Sequence, residues 1–342
     1  MKRYAYLLTM LLLAGIFLIS SGAPVFAQEK TTLRLYGLGA ASYPRVMTHA
    51  LGEIVNKNSD KLRIEVLEGM SSSSNLFVLQ KDKERRADTL IFTNTFSNGD
   101  AQAGRKPFKA PYTGARLIAT FTGSTIGLYT SNPEIKTIED MKGKSAHFAP
   151  RGATPGVVFS KMLQIVGILD QVKVSYGGFE AMTDAMINGT VDVGIASAPG
   201  YIGIGMTPAP NYVEPYSSRK LTFVSFTKEQ LAKTQKALNY NVLPFAVIPA
   251  KTMFPNQAAY PVFLHDQGWW ADASLDEKTA YELAKTIVTN LSKFGTYHKL
   301  GTFMRLENIA WIPLPADMVH PGAARYYREN NIPMGDQAKG MF

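Results

Sequence analysis

The sequence predicts an α/β fold of two units, in which a parallel or mixed sheet carries helices on its faces. Segments with the alternating apolar pattern of strands are followed repeatedly by segments whose apolar residues recur at helical spacing. The chain has 342 residues, and at about 150 residues per domain this length favours two domains. It contains no cysteine, so neither disulfides nor cysteine-ligated metals can support the fold.

The first 27 residues have the pattern of a secretory signal peptide. Lys2 and Arg3 precede an apolar run over residues 7–19, which is too short for a comfortable membrane span. The segment ends at Ala27 with small residues at the positions expected for a cleavage site. We therefore expect export and cleavage after Ala27, with an uncleaved N-terminal anchor as the alternative.

The first alternating block places three loops at the carboxyl ends of predicted strands. Strands are predicted over 32–37, 62–67 and 88–93, and helices over 44–58 and 75–86. Ligands bind at this edge of open α/β sheets. The loops 37–43, 69–74 and 94–99 are therefore candidate site segments.

The second block repeats this architecture without repeating its sequence. Strands are predicted over 125–130, 145–149, 173–176 and 191–196, and helices over 156–166 and 179–188. An amphipathic helix is predicted over 276–292. Trp269 and Trp270 could cover a cleft, but core packing is favoured.

Four consecutive serines, Ser71 to Ser74, raise a separate question. Serine tracts are usually flexible linkers. This tract, however, lies between a predicted strand and a predicted helix, so we interpret it as part of a site loop, with at least two hydroxyls capping the helix or facing solvent.

Several motifs together resemble those of one receptor family. They are Ser42-Tyr43-Pro44, GMSSSSNL from Gly69, IEDMKGKSAHFAPRGATPG from Ile138, MINGTVDVGIASAPG from Met186, and HPGAARYYRE from His320. With these motifs the chain resembles the TAXI proteins, the solute receptors of one class of tripartite ATP-independent periplasmic (TRAP) transporters. The likeness covers essentially the whole mature chain, and the last motif is the most specific. Departures at Ser42, at Asn94 and at Arg151 mean that substrate identity is not carried over.

The resemblance implies a type II periplasmic binding protein, a two-lobed Venus flytrap with two crossover segments. Lobe 1 would comprise residues 29–123 and 262–342, and lobe 2 residues 124–261. The implied function is capture, in the periplasm, of a small organic anion, either a carboxylate or an amino acid such as glutamate or an oxo acid. Delivery would be to a membrane TRAP permease with large and small subunits, separate or fused. We expect a monomer, and the modest net charge of +9 does not indicate nucleic acid as a partner.

The predicted ligand contacts combine motif positions with helix N-termini, where free N–H groups and a partial positive charge attract anions. They are Ser42, Tyr43, Ser71, Ser72, Asn75, Asn94, Arg151, Gly152, Thr154 and Tyr201. Tyr43 could instead pack under its helix, and Thr154 could simply cap one. We expect replacement of Asn75 by alanine to weaken binding with little loss of stability.

No catalytic or metal residues are predicted. The five histidines lack metal-ligand spacing, and the chain has no G-x-S-x-G elbow, P-loop or dinucleotide fingerprint. We therefore expect neither an enzyme nor a cofactor. Two alternatives stay open: a ligand-binding input for a membrane sensor kinase, and a hydrolase or transferase on the same fold.

Overall fold

The computed structural model describes residues 29–38, 43–149, 153–240 and 243–338, and these residues form the predicted α/β architecture. The predicted signal peptide lies outside them. The strands are β1 Thr31–Tyr36, β2 Leu62–Leu67, β3 Thr89–Thr93, β4 Ala115–Thr130, β5 Ser145–Phe148, β6 Lys173–Tyr176, β7 Val193–Tyr201, β8 Gly205–Met206, β9 Thr222–Val224, β10 Phe245–Ile248 and β11 Tyr260–Asp272. The α-helices are α1 Tyr43–Asn58, α2 Ser72–Lys81, α3 Thr95–Gln102, α4 Thr154–Val166, α5 Phe179–Asn188, α6 Pro210–Ser218, α7 Lys228–Leu238, α8 Glu277–Thr289 and α9 Pro321–Glu329.

The strands form a mixed sheet with the main order β2-β1-β3-β11-β4-β7-β5-β6. Strand β10 pairs with β11, β9 with β4, and β8 with β7. Strand β1 runs parallel to β2 and β3, and β5 runs parallel to β6 and β7. Parallel neighbours need long crossover connections, usually helices, and this requirement explains the strand–helix alternation of the sequence.

Two long antiparallel strands, β4 and β11, connect the two groups of parallel strands. They pair with each other from Ile126 opposite Phe263 to Ala115 opposite Asp272. Strand β11 also pairs with β3, and the second part of β4 pairs with β7. We call β1–β3 with α1–α3, α8 and α9 the first half, and β5–β10 with α4–α7 the second half.

The predicted lobe boundaries, after residues 123 and 261, fall inside these long strands. The sequence predicted a strand over 125–130 and a separate strand-like run from Arg116, whereas the structure has one continuous strand of 16 residues from Ala115 to Thr130. Both chain crossings between the halves are thus extended strands, although the division into two lobes stays a prediction.

The prediction that Trp269 and Trp270 pack in the core is confirmed. Both side chains are fully buried, and the Trp269 ring centroid lies 4.9 Å from that of Phe121 and 5.7 Å from that of Phe294. The amphipathic helix is also confirmed as α8, whose N-cap residue Asp276 accepts a hydrogen bond from Thr279 N at 2.8 Å.

Candidate functional site

The serine tract begins helix α2 and is not a linker. Ser71 is the N-cap residue, and its Oγ accepts a hydrogen bond from Ser74 N at 3.1 Å. In return, Ser71 N donates to Ser74 Oγ at 2.7 Å, which completes a capping box. The helix therefore starts at Ser72, three residues earlier than predicted.

Asn75 joins the ends of two strands to helix α2. Its side chain is 1% exposed, and Nδ2 donates to the carbonyl oxygens of Gly37 at 2.8 Å and Phe92 at 3.0 Å. A side chain at Gly69 would collide with Asn75, because a Cβ there would lie 2.3 Å from Asn75 Oδ1. The amide nitrogen of Asn75 is thus committed to the protein, which argues against our expectation that its loss would leave stability intact.

Asn94 links the first turns of α2 and α3. It is the N-cap of α3, where its Oδ1 accepts from Ser97 N at 2.9 Å. Its Nδ2 donates to Ser72 Oγ at 3.3 Å. The structure therefore brings together two of the predicted contact residues, Ser72 and Asn94, at the carboxyl end of β3.

The N-terminus of α3 already holds an anion supplied by the protein. Thr95 N donates to Asp266 Oδ1 at 3.0 Å. Asp266 is fully buried, and this burial raises the pKa of its carboxyl to about 6, although the hydrogen bonds from Thr95 act in the opposite direction. Because Asp266 occupies this position, a solute carboxylate would have to bind at other helix starts.

A polar patch lies where β4 and β11 pair between the two halves. We define the central patch as Tyr43, Ser124, His265 and Gln267. Ser124 is paired directly with His265, so their side chains share a face of the sheet, and Gln267 follows two residues later. Gln267 Nε2 donates to Tyr43 Oη, and the Ser124 hydroxyl lies beside the same phenol.

The central patch contains buried polar atoms that have no hydrogen-bond partner among the described residues. These atoms are Ser124 Oγ, Gln267 Oε1 and both ring nitrogens of His265. Burial lowers the pKa of His265 to about 4 and raises that of Tyr43 to about 12, so both side chains are neutral at pH 7. A neutral imidazole has one donor and one acceptor nitrogen, and here neither has a partner among the described residues.

Two further predicted contacts, Tyr201 and Thr154, belong to the second half. Tyr201 is fully buried, its ring lies edge-on to Trp311 with the centroids 6.5 Å apart, and its hydroxyl has no partner among the described residues. Burial, together with the charge of Asp266, raises the pKa of Tyr201. Thr154 is the first residue of α4, which lacks a side-chain cap from Ala153.

Three predicted contacts, Ser42, Arg151 and Gly152, lie outside the described residues. Sequence reasoning missed Ser124, His265, Asp266 and Gln267. The available signal was the polar triplet His265-Asp266-Gln267 inside an otherwise apolar strand segment.

The described residues hold no group of three or more histidine, aspartate or glutamate side chains placed to bind a metal ion. In the same part of the chain, none of the helices combines the length and the apolar character needed to cross a membrane.

Solved structures of other proteins are similar to this fold. MatC from Rhodopseudomonas palustris, solved with bound malate, is similar with a TM-score of 0.50 and 13% identity over 87% of this chain and 95% of MatC. A structure described as a periplasmic transporter also has a TM-score of 0.50, with 11% identity over 90% of this chain and 94% of that one. The aliphatic sulphonate binding protein SsuA from Escherichia coli has a TM-score of 0.48 and 12% identity, over 91% and 96% of the two chains. The first two likenesses show the fold alone, which is that of periplasmic solute-binding proteins.

The chain belongs to the NMT1-like family, whose model matches residues 39–330. No curated protein sequence matches the chain.

Proposed function

We propose that this protein is an exported solute receptor of the TAXI type. It captures a small organic anion, such as glutamate or an oxo acid, between its two halves and delivers it to a membrane TRAP permease. The NMT1-like family and the periplasmic solute-binding fold support the receptor class. The five sequence motifs, of which His320–Glu329 is the last, support the finer TAXI assignment.

The central patch is the observation that carries this proposal. A buried polar group without a partner costs about 1–3 kcal/mol, so closing the halves over an empty patch is penalised. A solute that supplies hydrogen bonds to Ser124, His265 and Gln267 removes this penalty. Binding would then shift the protein toward the closed arrangement, as a capture-and-release receptor requires.

The anionic part of the solute is assigned to helix N-termini from both halves. The first turns of α2 and α4 contain backbone N–H groups that helix geometry leaves unpaired. Ser72 and Thr154 add hydroxyl groups at these two positions. Tyr43 of the central patch and the predicted contacts Ser42, Arg151, Gly152 and Tyr201 complete the proposed site.

Binding without turnover is part of the proposal. The solute is held by hydrogen-bond donors and helix dipoles, and release unchanged is the expected outcome. A monomer that needs no cofactor and delivers its solute to the permease is sufficient for this role.

Thermal unfolding with a panel of solutes tests the proposal. The panel pairs L-glutamate with L-glutamine, and succinate with succinamide, and it includes 2-oxoglutarate and L-malate. We expect at least one carboxylate to raise Tm by about 5 °C at 100 times its Kd, and its uncharged partner to raise Tm much less. Mass spectrometry should then recover the compound unchanged. Equal effects of acid and amide would contradict the anion assignment, and the absence of any shift would contradict the receptor function.

A further inference from the structure

The two halves also meet at a second place, which we call the clasp and define as Asp100, Arg105, Asn239 and Tyr240. Asp100 belongs to α3 and Arg105 follows it, both in the first half. Asn239 and Tyr240 follow α7 in the second half. Residues of both halves line the adjoining groove of about 370 Å³, namely Asp100, Arg105, Lys106, Val157, Leu238 and Tyr240.

Arg105 contacts the second half in two ways. Its Nη1 donates to the carbonyl oxygen of Asn239 at 3.2 Å. Its guanidinium carbon lies 5.2 Å from the centroid of the Tyr240 ring, which is within the range of a cation–π interaction. Phe96 of α3 lies on the same tyrosine, with the ring centroids 5.3 Å apart.

Asp100 orients this arginine from within the first half. Arg105 Nε donates to Asp100 Oδ1 at 2.7 Å, and the Tyr240 hydroxyl donates to Asp100 Oδ2 at 3.4 Å. Burial raises the pKa of Asp100, and the guanidinium of Arg105 acts in the opposite direction. A planar guanidinium held in this way keeps its remaining donors and its flat face directed at the second half.

We propose that Arg105 is a positioning residue that sets solute affinity by holding the two halves in the arrangement seen here. This inference rests on the proposed receptor function, because affinity is linked to the population of the binding-competent arrangement. Arg105 acts through Tyr240 and Asn239 and needs no contact with the solute. Without Arg105, the competent fraction falls and the Kd rises by roughly tenfold.

Distances between spin labels test this role in the absence of any solute. The chain contains no cysteine, so Lys83→Cys and Asp184→Cys introduce two label sites without background. Both positions are exposed, one in each half and neither in the clasp. We expect Arg105→Ala to shift the distance distribution measured by pulsed electron paramagnetic resonance toward longer values, and Arg105→Lys to give an intermediate shift.

Arg85→Ala is the matched control. Arg85 is an exposed arginine that pairs with Asp82 within one turn of the first half, so its loss should leave the distances unchanged. Tyr240→Leu, which removes the other partner, should reproduce the effect of Arg105→Ala. Distances that stay the same or shorten in both clasp variants would overturn the proposal, even if Tm falls.

Titration of the same labelled proteins with L-glutamate separates the two proposals. In the wild type, a shift to shorter label distances on addition of L-glutamate supports the receptor function. The Arg105→Ala variant should then need about tenfold more L-glutamate to give the same shift. The solute-free distances decide the role of Arg105 by themselves, whatever solute the receptor binds.

Discussion

Two sets of buried polar side chains differ in how their hydrogen bonds are satisfied. Around Asn75, the donors find main-chain carbonyls of two strands, and Asn94 caps its helix. In the central patch, Ser124, His265 and Gln267 keep polar atoms without partners in the described part of the chain. The first set supports the fold, whereas the second set is costly until another molecule supplies its hydrogen bonds.

Asn75→Ala should give the largest effect on stability. It removes donors to the carbonyls of Gly37 and Phe92 and leaves both acceptors buried. We expect a loss of about 3 kcal/mol in the free energy of unfolding, measured by urea denaturation.

The matched control for Asn75→Ala is Ser71→Ala. It removes an exposed cap in the same segment and should cost only about 1 kcal/mol. Equal losses in the two variants would mean that Asn75 does not hold the two strands together.

The pH dependence of stability should expose a compensation between Asp266 and His265. The pKa of Asp266 is raised to about 6 from 3.8, so the contribution of Asp266 to the free energy of unfolding falls as pH rises between these values. The pKa of His265 is lowered to about 4 from 6.5, so the contribution of His265 to the free energy of unfolding rises with pH over a similar range. Because the two trends oppose each other, this pair of residues together should add little to the change in wild-type stability between pH 4 and pH 6.

Asp266→Asn removes one side of this compensation. Relative to wild type, we expect its unfolding free energy to increase by about 2 kcal/mol from pH 4 to pH 6.5, because the His265 contribution is no longer offset by Asp266. Tyr201, which faces Asp266, is neutral throughout this range because its pKa is raised. Parallel pH profiles of variant and wild type would contradict the assignment.

His265→Leu should give a smaller effect on stability and a large effect on binding. It removes two unpartnered nitrogens from the central patch, so we expect the free energy of unfolding to increase by about 1 kcal/mol. The Tm increase produced by the active carboxylate of the panel should be lost.

His320→Leu provides the contrast with His265→Leu. The Nε2 atom of His320 is also buried without a partner among the described residues, but its Nδ1 accepts a hydrogen bond from Gly322 N at 3.3 Å at the start of α9. Its replacement should therefore lower stability. If both variants change the free energy of unfolding in the same direction, the distinction between buried side chains that support the fold and those of the central patch is wrong.

The alternation of strands and helices could be predicted from the sequence because it depends on local periodicity. Helix α8 and the buried Trp269 and Trp270 follow from such patterns. The start of α2 was placed too late because the serines were assigned to the loop, although Ser71 and Ser74 form a capping box with each other.

The central patch could not be predicted because it depends on pairing between distant segments. Ser124 meets His265 only because β11 lies beside β4, and Tyr43 joins them from the start of α1. Likewise, the partners of Asn75 lie at the ends of β1 and β3, so its role is set by the sheet and not by its neighbours in sequence.

The position of β11 between β3 and β4 has a consequence for folding. Strands β3 and β4 are neighbours in sequence, yet the strand that separates them begins only at Tyr260. Until that segment is synthesised, both strands expose unpaired backbone edges, which are templates for intermolecular pairing. Fragments that end before residue 260 should therefore aggregate, and the chain depends on its last quarter to complete the centre of its sheet.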